Sequence, residues 1–241
     1  MYKYFINLCF VLAFVNGYSQ ENTPKEKSEE KKDTVIYKTG YGLRIGADIS
    51  KPVLAIVDKS YSGLEIVGDY RVSEKWYVAT ELGYEEEITF EDFTASTSKG
   101  SYIRLGANYN AYENWLDMNN EIYVGMRYGF AMFDHTLNSY TPNVTTGTTG
   151  VPPYFSPNTI QTSVTDEGLT AHWTELQLGI KAETLKNLFI GFSFSYKIML
   201  SLDDQTGFKT LYTPGFNRVF ASDTGFGFNY TISYLIPFVN K

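Results

Sequence analysis

The chain has 241 residues, a formal charge of −7, an aromatic share of 17% and a single cysteine. That acidity excludes nucleic acid as a partner, because phosphates are neutralised by a basic stripe. Beyond the N-terminal segment no stretch approaches the roughly 18 consecutive apolar residues of a membrane helix, which excludes spanning by helices and leaves spanning by strands.

Residues 1–19 read as a signal peptide: Lys3, then an apolar run from Tyr4 to Val15, then small residues at Gly17 and Ser19 before Gln20. Cys9 lies inside this segment, so a mature chain starting at Gln20 has no thiol chemistry. Residues 20–36 read as a disordered periplasmic leader, since QENTPKEKSEEKKD offers charges and nothing to bury. Residues 37–241 are expected to form one β domain.

From Tyr41 the pattern has period two, which places apolar and polar side chains on opposite faces of a strand. Leu43, Ile45 and Ala47 alternate with Arg44, Gly46 and Asp48; Leu64, Ile66 and Tyr70 with Glu65, Asp69 and Arg71; Trp76, Val78, Leu82 and Tyr84 with Tyr77, Glu81 and Glu85. The same pattern carries Ile103, Leu105 and Ala107 against Tyr102, Arg104 and Asn108, and Ile122 to Met132 against Tyr123 and Arg127. It returns in Leu176, Leu178 and Ile180 against Glu175, Gln177 and Lys181, and in Leu188 to Ile198 against Ser193, Ser195 and Lys197. The last strand has an unbroken row, Phe226 to Phe238, against Gly227, Asn229, Thr231 and Ser233.

Eight such strands, rich in Tyr, Trp and Phe at their ends, predict a closed antiparallel transmembrane β-barrel, with ten strands the alternative if part of 140–165 or 208–222 pairs. Short links at 73–75, 111–118 and 183–187 alternate with long ones at 51–61, 86–99, 134–170 and 203–224. In outer-membrane barrels the short turns are periplasmic and the long loops extracellular, so both termini are expected in the periplasm.

The runs GLRIGADISKPV (42–53), YSGLEIVGDYRVSEKWYVATELGYEEE (61–87) and GFGFNYTISYLIPF (225–238) resemble an uncharacterised family of Bacteroidota outer-membrane β-barrels, a domain of unknown function. The resemblance covers essentially all of 41–238 and implies location and fold, with no activity to carry over. The last strand is also similar to the signal read by the barrel-assembly machinery, with Tyr230, Ile232, Tyr234, Ile236 and Phe238 at the required alternation.

The polar faces carry Arg44, Asp48, Glu65, Asp69, Arg71, Glu81, Glu85, Arg104, Arg127, Glu175, Lys181 and Lys197. An eight-stranded interior is just wide enough for its own side chains, so these charges are expected to pair in a lumen network. His135 and His172, the only histidines, flank the longest loop; a base-activated nucleophile with Asp134, Ser139 or Glu175 is the enzymatic alternative, though no catalytic motif surrounds them. Asp203-Asp204 lacks the alternating ligands of a calcium loop, and no metal or cofactor is expected.

The loop 134–170 has no lysine or arginine yet carries Tyr140, Tyr154 and Phe155, and the loop 203–224 adds Phe208, Tyr212 and Phe216. Long loops of this composition favour ordered contact. The expected function is therefore a non-enzymatic binding or scaffold module among outer-membrane lipids. Its protein partner is expected to be a lipoprotein or a larger outer-membrane complex. A lipid-active enzyme at the rim and a narrow channel are the alternatives.

Overall fold

A computed structural model describes residues 40–113, 119–144, 154–155 and 158–240. The expected signal segment, the leader and the tip of the longest loop, with the side chains of Tyr154 and Phe155, lie outside the described residues.

Eight long strands close a ring: β1 (Gly40–Asp48), β2 (Tyr61–Arg71), β3 (Trp76–Glu91), β4 (Thr94–Asn110), β5 (Glu121–Tyr140), β8 (Ile160–Leu185), β9 (Leu188–Leu202) and β12 (Thr224–Asn240). Every neighbour pairs antiparallel, and β1 shuts the ring by pairing with both β12 and β2. Two small two-stranded pieces, β6 (Asn143–Val144) with β7 (Tyr154–Phe155) and β10 (Tyr212–Thr213) with β11 (Asn217–Arg218), stay outside the ring. The barrel therefore has eight strands and not ten.

The wall is inverted relative to a soluble protein. Leu64, Leu82, Met126, Leu178, Phe194 and Ile232 are exposed outward, whereas Arg44, Glu65, Glu85, Arg104 and Glu175 are buried within. Such a surface is stable where hydrocarbon is the solvent, and ring closure pairs the backbone of neighbouring strands through the middle of the wall. Among the described residues no helix is long and apolar enough to cross a membrane. The row Tyr230, Ile232, Tyr234, Ile236 and Phe238, expected from the sequence to serve as an assembly signal, lies on this outer face.

Three glycines admit aromatic rings to the interior. Gly83 is in register with Tyr102, Gly179 with Tyr123 and Gly129 with Trp173, and in each pair the ring occupies the space a glycine Cβ would take.

Two of the expected long loops are regular structure. Segment 86–99 continues β3 and β4 to a two-residue turn at Asp92-Phe93, and segment 134–170 extends β5 to Tyr140 and starts β8 at Ile160. Above the membrane a strand has water on both faces, so no apolar row betrays it. Segment 51–61 contains helix α1 (Ser50–Val57). The Asp48 carboxylate accepts from the Ser50 N–H at 2.9 Å and its hydroxyl at 2.7 Å, and Pro52 falls in the first turn, where its missing N–H costs nothing. Asp58 then accepts from the N–H and hydroxyl of Ser60, turning the chain into β2.

Candidate functional site

The interior is organised around Arg104, whose guanidinium meets Glu65 at 2.5 Å, Glu81 at 2.8 Å and Glu175 at 3.3 Å. Below it Arg44 lies between Asp69 (2.6 Å) and Glu121 (2.5 Å), Lys181 also pairs with Asp69, and Arg127 reaches Glu81 at 3.2 Å. Above it Lys51, sent down from α1, pairs with Glu85 and lies 3.6 Å from Glu65. Lys197 sits 3.9 Å from Glu175, and Asp48 is held by the Asn229 amide at 2.7 Å. One side chain departs from the expected network. Arg71 lies at the short-turn end, donating to the carbonyls of Ser73 and Glu74 and packing over Tyr41 and Tyr77.

Two network members escaped the sequence reading. Glu121 is the first residue of its strand, without a preceding period to assign its face, and Lys51 stands on a helix where period two does not apply. With them and without Arg71, the interior holds, among the described residues, seven carboxylates (Asp48, Glu65, Asp69, Glu81, Glu85, Glu121, Glu175) and six cations. Between Arg44, Glu65, Asp69, Glu81 and Arg127 remains a cavity of about 30 Å³, room for a water and not for a path.

The end with long connections is stoppered by the chain itself. Thr213-Pro214-Gly215-Phe216 forms a type II turn, with Gly215 at φ 78° and the Phe216 N–H donating to the Thr213 carbonyl at 3.1 Å. This turn enters the mouth: the Gly215 N–H and the Tyr212 hydroxyl donate to Glu85 at 2.7 and 2.9 Å, and Lys197 donates to the Gly215 carbonyl at 2.7 Å. Phe216 is fully buried edge-on against Trp173, 6.0 Å between centroids, within a cluster that includes Tyr102, Ala131 and Phe133. Tyr212 and Phe216 thus form a plug, which removes them from the expected outward surface; an aromatic loop needs burial, and here the barrel mouth supplies it. Phe208 packs half-buried on His135, and Tyr140 is exposed near the top of β5.

The two histidines do not converge. His135 is fully buried inside, its Nδ1 2.9 Å from the Gln205 side-chain oxygen, while His172 is on the outer face, its Nδ1 2.7 Å from the Tyr128 hydroxyl and its ring against Phe130. Opposite faces of one wall cannot make an acid–base pair. Among the described residues no group of three or more His, Cys, Asp or Glu side chains is arranged to hold a metal.

Above the ring, β3, β4, β5 and β8 continue as a projecting sheet: β8 pairs with β5 up to Ile160 but with β9 only from Ala171. Phe90, Tyr140, Ile160 and Val164 are exposed on it.

No curated protein matches the sequence. Among solved structures the chain is similar to Ail, the attachment invasion locus protein of Yersinia pestis, at 12% identity and a TM-score of 0.40, covering 81% of this chain and 97% of that one. The model of a family described as Domain of unknown function (DUF6048) matches residues 1–241 in full. The chain belongs to that family of unknown function, and its architecture is an eight-stranded membrane β-barrel.

Proposed function

We propose that the protein resides in the outer membrane, with the plugged end outside and the short turns in the periplasm, and that it acts as a non-enzymatic binding module. Its partner in this reading is a lipoprotein or a larger outer-membrane complex to which it is an accessory subunit. The observation that carries the reading is the projecting sheet. A barrel that only filled the membrane gains nothing from four strands continued into water, whereas a rigid sheet presenting Phe90, Tyr140, Ile160 and Val164 offers pre-ordered anchors at small entropic cost. Tyr154 and Phe155, in the sequence between β5 and β8, belong to the proposed contact.

The occupied lumen and the separated histidines favour this reading over a channel or a rim enzyme. The test is purification from native membranes in mild detergent after crosslinking, with the wild type beside a Tyr140→Ser, Ile160→Ser variant. The expected result is one co-purifying outer-membrane protein that the variant loses while still assembling into a heat-modifiable barrel. Equal recovery with both proteins, or no partner with either, overturns the proposal.

A further inference from the structure

The barrel wall is interrupted on one side. β12 starts at Thr224 and β2 at Tyr61, yet β1, which should lie between them, ends at Asp48. β1 pairs with β12 only from Thr231 and with β2 only from Ile66. Residues 224–230 of β12, paired to β9, and 61–65 of β2, paired to β3, therefore have no ladder partner on the β1 side, where only the Ile49 N–H reaches the Tyr230 carbonyl at 2.7 Å; the gap is about 20 Å along β12 at roughly 3.3 Å per residue. Helix α1 crosses this gap without closing it.

What remains is a cleft of about 810 Å³ between α1, β12, the upper part of β3 and the β10–β11 hairpin. Its size lies within the span of about 300–1,000 Å³ usual for ligand clefts. The helix lines it with Val53, Leu54 and Val57, a stripe at i, i+3/i+4 spacing, exposed at 55%, 46% and 79%. The banks add Phe226 and Phe228 from β12 and Ile88 and Phe90 from β3, while Lys51, Asp58, Glu87 and Arg218 also border the cleft.

We infer that this cleft holds an acyl chain of a membrane lipid. Phe226 and Phe228 continue the same outward row of β12 as Ile232 and Ile236, so the cleft is continuous with the lipid-facing belt and opens to it. Ile88 and Phe90 mark its upper end, above the belt; at its lower end, where Phe228 and Tyr230 meet the belt, unfilled apolar surface forfeits dispersion contacts that a lipid chain restores. The inner end suits a methyl terminus, since the hydroxyls of Tyr61 and Tyr212 are already given to Glu85 and ask nothing of an occupant. The chain's own charged segment 20–33 has no large apolar residue with which to fill the cleft. This inference shares only Phe90 with the proposed protein contact; Tyr140, Ile160 and Val164 do not line the cleft.

The experiment places the photocrosslinker p-benzoylphenylalanine at Leu54 or Val57, and at Leu178 on the outer wall as the control for ordinary surrounding lipid. Each full-length barrel is assembled in vesicles of phosphatidylethanolamine and phosphatidylglycerol, re-extracted into lipid-free detergent, irradiated and weighed. The expected result is a phospholipid adduct retained at Leu54 and Val57 and lost at Leu178. Adding Val53→Trp, which fills the cleft, should abolish the adduct at Val57 while heat-modifiable migration persists. Loss at all three positions, equal retention at Leu178, or an adduct of protein mass at Leu54 overturns the inference.

Discussion

The Glu85 carboxylate accepts a hydrogen bond from the backbone N–H of Gly215 at 2.7 Å, tying the mouth plug to the wall across 130 residues of sequence. The same carboxylate receives Lys51 from α1 and the hydroxyls of Tyr61 and Tyr212. One buried acid thus fastens the helix, the wall and the plug together. Replacing it with alanine leaves Lys51 facing Glu65 alone and takes away the acceptor of the Gly215 N–H, so that the turn is held only by Lys197 and the packing of Phe216. Breaking one partner of a buried ion pair costs on the order of 3–5 kcal/mol. Glu85→Ala is expected to lower the temperature at which the barrel loses its heat-modifiable form and to expose 203–223 to protease. Glu85→Gln should protect the segment better, since its side-chain oxygen still accepts from Gly215. A plug equally resistant in all three proteins would show that Glu85 does not hold it.

Outward and inward faces differ in what they tolerate. Ile232 and Phe194 point to lipid, where a lysine near the midplane costs about 2–4 kcal/mol. Ser193 points inward beside the small cavity lined by Asp69 and Glu81, where a new cation meets carboxylates. Ile232→Lys and Phe194→Lys are expected to reduce the folded, heat-modifiable fraction strongly, and Ser193→Lys to reduce it less. Equal loss in all three would reject the assignment of faces.

The membrane part of this fold is legible in the sequence because hydrocarbon and lumen impose opposite demands on successive residues. Legibility stops where one demand disappears. From Glu86 to Lys99, from Asp134 to Tyr140 and from Ile160 to Thr170 the strands continue past the ring, where Ser, Thr and Glu serve either face and the segment reads as a loop. The aromatic content of 203–224 signals burial but not where: only the TPGF turn, aimed into the mouth, shows that Tyr212 and Phe216 bury themselves and not a partner. The cleft is written in no motif, because it arises from β1 ending at Asp48 while its neighbours continue.

The lumen should not conduct. Arg104 joins Glu65, Glu81 and Glu175 across the middle of the barrel, and the plug turn closes the mouth above it. Two successive barriers stand in series, so removing the upper one alone is expected to leave the barrel closed. Planar-bilayer recordings of the wild type and of Phe216→Ala should both lack steady conductance. Reproducible single-channel steps from the pure wild type would overturn the reading of a filled interior.

Trp173 lies across Gly129, its partner in register on β5, and is fully buried. Its indole N–H donates to Glu175 at 2.6 Å and its ring carries the edge of Phe216, so one side chain links the charge network to the plug. That position depends on hydrogen at Gly129, since an added methyl group would occupy the space of the indole's six-membered ring. Gly129→Ala therefore forces the indole away from Glu175 and lifts Phe216. Overpacking of this kind costs about 1–3 kcal/mol. The expected outcome is a lower unfolding temperature together with red-shifted tryptophan emission. Gly68→Ala is the control: there a Cβ meets the Arg44 carbonyl at 3.6 Å and the Thr80 methyl at 3.7 Å, both ordinary contacts. That variant should keep the wild-type emission and unfold close to the wild-type temperature. If the two alanine variants unfold alike and emission does not move in either, Trp173 is not seated by Gly129, and its link between network and plug fails with it.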